Sequence, residues 1–77
     1  MSVQAYILVN IKPGKVVPVV EQLARLQGVT EAYPITGEYD AIVHAVVNDV
    51  REVKQTMIQK IHEIEGVRDT NTHIVLA

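Results

Sequence analysis

With 77 residues and no cysteine, the chain has room for one core and one domain, near the size where burial barely offsets chain entropy, and it excludes disulfides and thiolate metal sites. A net charge of −2, with seven Lys and Arg scattered along the sequence, leaves no basic footprint for nucleic acid. No apolar run approaches the roughly 18–20 residues of a membrane span, and Met1-Ser2-Val3-Gln4 lacks a charged signal-peptide start, so a protein of the reducing cytoplasm is expected.

Val3, Ala5, Ile7, Val9 and Ile11 alternate with Gln4, Tyr6, Leu8 and Asn10, the two-residue period of a first strand. Pro13-Gly14 breaks it. Val16, Val19, Val20, Leu23 and Leu26 then recur at three- and four-residue steps, predicting a helix with Pro18 in its first turn, where a missing amide proton does no harm. Gly28 is placed to close that helix, and a second strand runs from Val29 to Ile35, with Pro34 arguing for a sheet edge.

A third strand is read over residues 40–47. The sequence Asp49-Val50-Arg51-Glu52 predicts a capping box, in which Asp49 takes the Glu52 amide, and a second helix with Val53, Met57, Ile61 and Ile64 as its buried stripe. Gly66 closes that helix, and Val67 to Leu76 forms a fourth strand. The second half echoes the first 38 positions later: Leu26-Gln27-Gly28-Val29-Thr30-Glu31 falls on Ile64-Glu65-Gly66-Val67-Arg68-Asp69.

The order β-α-β-β-α-β predicts an α+β, ferredoxin-like fold: a four-stranded antiparallel sheet with both helices on one face. Strands one and three are expected at the centre because they are apolar on both faces, whereas strands two and four carry Glu31, Pro34, Arg68, Asp69 and Asn71. Two helices cover only one face. Tyr6, Leu8, Ile42, His44 and Val46 are left for the other, and the simplest cover is a second copy packed sheet to sheet, so a homodimer is expected.

The inventory for catalysis is thin. His44, His62 and His73 lack metal-binding spacing, Ser2 is the only serine, and no cofactor motif is present. The polar cluster Thr36-Gly37-Glu38-Tyr39-Asp40, at the seam between the two halves, is different in kind. Taken alone it is also ordinary hairpin chemistry, but two carboxylates flanking a ring suit an ammonium group, and Gly37 lets a ligand approach the backbone. Thr70-Asn71-Thr72-His73 offers hydroxyls that could donate to a carboxylate, although Thr is also simply a good strand former. Together these groups would suit an α-amino acid.

Val29-x-Glu31, Thr36-Gly37-Glu38-Tyr39-Asp40, Gly66-Val67 and Thr70-x-Thr72-x-Ile74-Val75 resemble the effector-binding (RAM) domain of the Lrp/AsnC family, the feast/famine regulators of bacteria and archaea, over about Val3 to Leu76. Family members usually place a DNA-binding helix-turn-helix before this domain, so residues 1–77 look like a stand-alone ligand-binding version. The resemblance implies sheet-paired dimers that gather into rings, commonly of four dimers and hence octamers, with amino acids bound between neighbouring dimers. It implies that Gly37, Glu38, Tyr39 and Asp40 line that pocket, and that Tyr33, Val50, Thr70, Thr72, His73, Ile74 and Val75 match further positions of effector response. Glu38 departs from the usual Asp.

The expected function is therefore a self-assembling amino-acid sensor, not an enzyme, without cofactor or metal and without direct DNA contact, acting on transcription through full-length Lrp/AsnC regulators. One alternative is a dimeric α+β-barrel enzyme, which would need His44, Tyr6 or His73 to converge in a cavity. Another is an ACT-like regulatory domain.

Overall fold

The computed structural model describes residues 2–76. Strand β1 (Val3–Ile11) leads to helix α1 (Val16–Ala24), followed by β2 (Val29–Pro34) and β3 (Ala41–Val47). The second helical stretch has three parts: α2 (Val50–Glu52), a π-helical turn (Val53–Met57) and α3 (Ile58–His62), before β4 (Val67–Ile74). The sheet is antiparallel in the order β2-β3-β1-β4, so β1 and β3 are central and Pro34 lies on an edge strand.

Strand alternation puts Ala5, Ile7, Val9 and Ile11 of β1 and Ala41, Val43 and Ala45 of β3 on one face. There they pack in one core with Val19 and Leu23 of α1, with Met57 and Ile61 of the second helical stretch and with Ile64 of the turn that follows it. Burial of each large side chain contributes about 1.5–3 kcal/mol, which makes this layer the main source of stability. The opposite face carries Gln4, Tyr6, Leu8, Ile42, His44 and Val46, with no helix above it.

Three local features differ from the sequence reading. Val53, Met57 and Ile61 recur at steps of four, and at about 100° per residue each step overshoots a full turn by about 40°. The wider π turn, closed by Ile58 N–H donating to the Val53 carbonyl, takes up that drift and keeps all three buried. In the cap, Asp49 accepts from the Arg51 amide at 2.7 Å, not from Glu52, and Glu52 reaches back one residue further, to the Asn48 amide at 2.7 Å. Finally, β4 ends at Ile74, although Val75 N still donates to the Gln4 carbonyl at 2.9 Å.

Gly28 and Gly66 lie at φ +94° and +107°, in the left-handed region where other residues are strained, but in the turns before β2 and β4 and not at the helix ends where the sequence places them: α1 and α3 already stop at the right-handed caps Arg25 and Glu63. The Gly28 carbonyl accepts from Val46 N and the Gly66 carbonyl from Lys12 N, each at 2.8 Å. Each glycine thus ties the turn after its helix to the other half, Gly28 to β3 and Gly66 to the residue that follows β1.

Candidate functional site

The seam between β2 and β3 folds back against the end of β1. Ile35 N donates to the Asp40 carbonyl at 3.0 Å, and Asp40 N donates to the Val9 carbonyl at 2.9 Å. The β1–β3 ladder stops at the Val9–Ala41 pair, and the Asp40 carboxylate takes over by accepting from Ile11 N at 2.7 Å. Asp40 is therefore a latch on the backbone, and among the described residues its other carboxylate oxygen makes no hydrogen bond. Gly37 sits at φ +110° with nothing within 4 Å of where a Cβ would be, so the backbone bend, not crowding, calls for glycine.

Tyr39 extends this site across the sheet. Its hydroxyl accepts from Asn71 Nδ2 at 3.2 Å, and because β1 lies between β3 and β4 the ring bridges over β1 on the uncovered face. Glu38 is exposed and, among the described residues, makes no side-chain hydrogen bond.

The remaining predicted residues divide by strand parity. His73 lies opposite Tyr6, and Tyr33 opposite Ile42, both on the uncovered face. Tyr33 donates its hydroxyl proton to Glu31 Oε2 at 2.8 Å; that hydrogen bond, reinforced by the carboxylate charge, holds the phenol above its ordinary pKa. Thr70, Thr72 and Ile74 lie opposite Val9, Ile7 and Ala5, on the helix side, where Thr70 Oγ1 meets His62 Nε2 at 3.1 Å. Val50, Ile74 and Val75 come together with Val3, Gln4 and Leu76 around a shallow depression of about 340 Å³. That depression lies at the opposite end of the sheet, roughly 17 Å from the seam at about 3.3 Å per residue along β1.

One protomer thus assembles the seam, its Asn71 partner and a distant apolar depression, not a single enclosed pocket. Asn71 was absent from the predicted set. The signal was present in its parity: if Thr70 and Thr72 face the helices, Asn71 must face the side toward which Tyr39 can reach.

The histidines form no catalytic group. His44 contacts Thr30 Oγ1 through Nδ1 and Gln4 Oε1 through Nε2 at 2.9 Å, and its ring stands 4.8 Å from that of Tyr6. Tyr6 separates it from His73 on an open sheet surface. Among the described residues no group of His, Asp and Glu could hold a metal ion, and no helix is long and apolar enough to cross a membrane.

This architecture has known counterparts. Residues 4–77 match the Lrp/AsnC ligand binding domain. An uncharacterized HTH-type transcriptional regulator of Pyrococcus abyssi is 34% identical over 74 residues, covering 96% of this chain and 47% of that protein. The chain thus spans about half the length of this relative. The crystal structure of FFRP-DM1 superposes with a TM-score of 0.88 at 34% identity, covering 96% of this chain and 99% of the other. Escherichia coli AsnC superposes with a TM-score of 0.87 at 29% identity, covering 97% of this chain and 51% of that one. The family is one of regulators, not enzymes. With the fold, the seam motif and these matches in agreement, the chain belongs to the Lrp/AsnC family, whose ligand-binding regulatory domain it carries.

Proposed function

We propose that this chain is an amino-acid-responsive assembly module of the cytoplasm. It pairs with a second copy through the uncovered sheet face, and its dimers gather into a ring, commonly an octamer. Effectors bind where dimers meet, and occupancy is passed to transcription by co-assembly with full-length Lrp/AsnC regulators while this chain makes no DNA contact itself. A ligand that binds the assembled state better shifts the population toward it, so no chemistry is needed.

The observation that carries this reading is the distribution of tyrosines. The chain has three, and no Phe or Trp. Tyr6 and Tyr33 stand on the uncovered face, 42% and 54% exposed, and Tyr39 reaches Asn71 over the same face, while the buried core contains no aromatic residue. Aromatic rings gathered on a solvent-facing sheet are the composition of an association surface.

The site residues fit a pocket completed by assembly. Gly37, Glu38, Tyr39 and Asp40 would supply one wall, with a free Asp40 oxygen and Glu38 for the ammonium group. Tyr33, Val50, Thr70, Thr72, His73, Ile74 and Val75 would contribute from elsewhere on the same or a neighbouring dimer. Isothermal titration with a panel of amino acids tests this on wild type, Tyr39→Ala and Asp40→Asn, the last of which keeps an oxygen for the Ile11 amide. The reading predicts a binding heat in the wild type that both variants lose; unchanged heats in both would remove the seam from the pocket.

A further inference from the structure

The two copies of the repeated unit differ in how the space beside their glycines Gly28 and Gly66 is filled. A Cβ placed on Gly66 would lie 2.9 Å from Val19 Cγ2, and one on Gly28 would lie 3.1 Å from Met57 Cε, so equivalent glycines meet equivalent helix positions. Beside Gly66 the space is closed by the stem of Lys15, whose Cβ lies 3.1 Å from the same point. The position equivalent to Lys15 is Val53, which begins the π turn and is fully buried in the core. Beside Gly28 there is instead a groove of about 240 Å³.

Glu52, Thr56 and Lys60 line this groove at steps of four along the second helix, and Val47 with the end of the otherwise buried Met57 forms its apolar wall. Gln27 and Asn48 add amide groups from the turns after α1 and β3. The equivalents of Glu52, Thr56 and Lys60 in the first half are Gly14, Pro18 and Gln22, which carry no charge. Acid, hydroxyl and base thus belong only to the copy with the open groove.

The Glu52 carboxylate is oriented, and neither it nor Lys60 is neutralised by an ion pair among the described residues. Glu52 Oε2 accepts from Asn48 N at 2.7 Å, which fixes the carboxylate and leaves its second oxygen available. Lys60 forms no ion pair; among the described residues the only one is Arg51–Asp49. Glu52 and Lys60 are two helical turns apart, about 12 Å along the axis. The groove is smaller than the roughly 300–1,000 Å³ of sites for drug-sized ligands, and π turns recur at functional sites.

We propose that this groove is a second binding site, contained within one protomer, for a small zwitterion whose amine and carboxylate are separated by several methylenes. The ammonium donates to the free oxygen of Glu52. The carboxylate accepts from Lys60 and the Thr56 hydroxyl, and the methylene chain lies against Val47 and the end of Met57. The site needs no partner subunit and does not involve the seam.

Met57 provides the readout, because the chain has only two methionines and a ¹³C-methyl label gives a resolvable signal in an assembly of any size. Titrating ε-aminocaproate to millimolar concentration is expected to shift the Met57 methyl resonance saturably. Caproate and hexylamine, each lacking one charge, should bind about tenfold more weakly, the value of one charge-assisted hydrogen bond. Lys60→Gln and Glu52→Gln should each weaken ε-aminocaproate binding by about the same factor, the second retaining the acceptor for the Asn48 amide. Tyr39→Ala should leave the response unchanged. No saturable shift, equal binding of the singly charged analogues, insensitivity to either groove substitution, or loss of the response in Tyr39→Ala would each overturn the proposal.

Discussion

The two faces of the central strands differ in composition and have opposite surroundings. Toward the helices, Ala5, Ile7, Val9, Ala41, Val43 and Ala45 are fully buried; the three alanines let the helices approach, and no polar group intervenes. On the other side Leu8, Ile42 and Val46 are joined by Gln4, Tyr6 and His44, and Gln4 and His44 satisfy their polar ends sideways along the sheet through the Thr30–His44–Gln4 chain of contacts. A core tolerates small residues because helices fill the space above them. On the open face the paired Gln4 and His44 mean that covering it, as the proposed pairing requires, would leave few unsatisfied groups.

The sharpest way to break this contrast is to truncate neighbours on opposite faces of β1. Ile7→Ala should lower the unfolding free energy by about 2–5 kcal/mol in urea titrations, because it leaves a cavity. Leu8→Ala should cost clearly less folding stability and appear mainly as weaker self-association. Equal losses from the two would dissolve the distinction.

Smaller effects belong to the edges of the two layers. Asp40→Ala should cost about 1.5–3 kcal/mol by orphaning the Ile11 amide, with Asp40→Asn restoring most of it. Gly66→Ala should cost about 1–2 kcal/mol or more from its positive φ, and more than Gly28→Ala. The difference arises because Gly66 abuts Val19 and the Lys15 stem, whereas Gly28 abuts the movable end of Met57.

The smallest effect is expected at Asp49, which touches neither face. Hydrogen bonds from the Arg51 side chain and amide hold its carboxyl below the usual range, so its contribution is present above the unfolded carboxylate pKa and is lost as the pH falls through the depressed folded value. Asp49→Ala should lower Tm by a few degrees at neutral pH, and thermal melts of variant and wild type should converge in strong acid.

Much of this was legible in the sequence. Alternation in residues 3–11, apolar character on both sides of β3, and the paired helix-Gly-Val ends were enough for element order, central strands and the uncovered face. The π turn was not, because four-residue steps from Val53 to Ile61 resemble an ordinary helical stripe and the drift shows only when the residues must share one core. At the site, Gly37 and the carboxylates marked the seam, but the bond from Asp40 to an amide 29 residues away leaves no local pattern. Thr70 to Val75 read as one polar strand end; parity divides it between two faces, and only the sheet pairing shows which side each residue takes.

The mass of the assembly in solution tests the central claim, that the uncovered face is built to be covered by another copy. Light scattering coupled to size exclusion, at micromolar concentration, should give the wild type the mass of a dimer or a multiple of it. Ile42→Glu, which puts a charge at the centre of that face, should give a folded monomer. A folded wild-type monomer at the same concentration, or an Ile42→Glu variant that keeps the wild-type mass, would contradict the account.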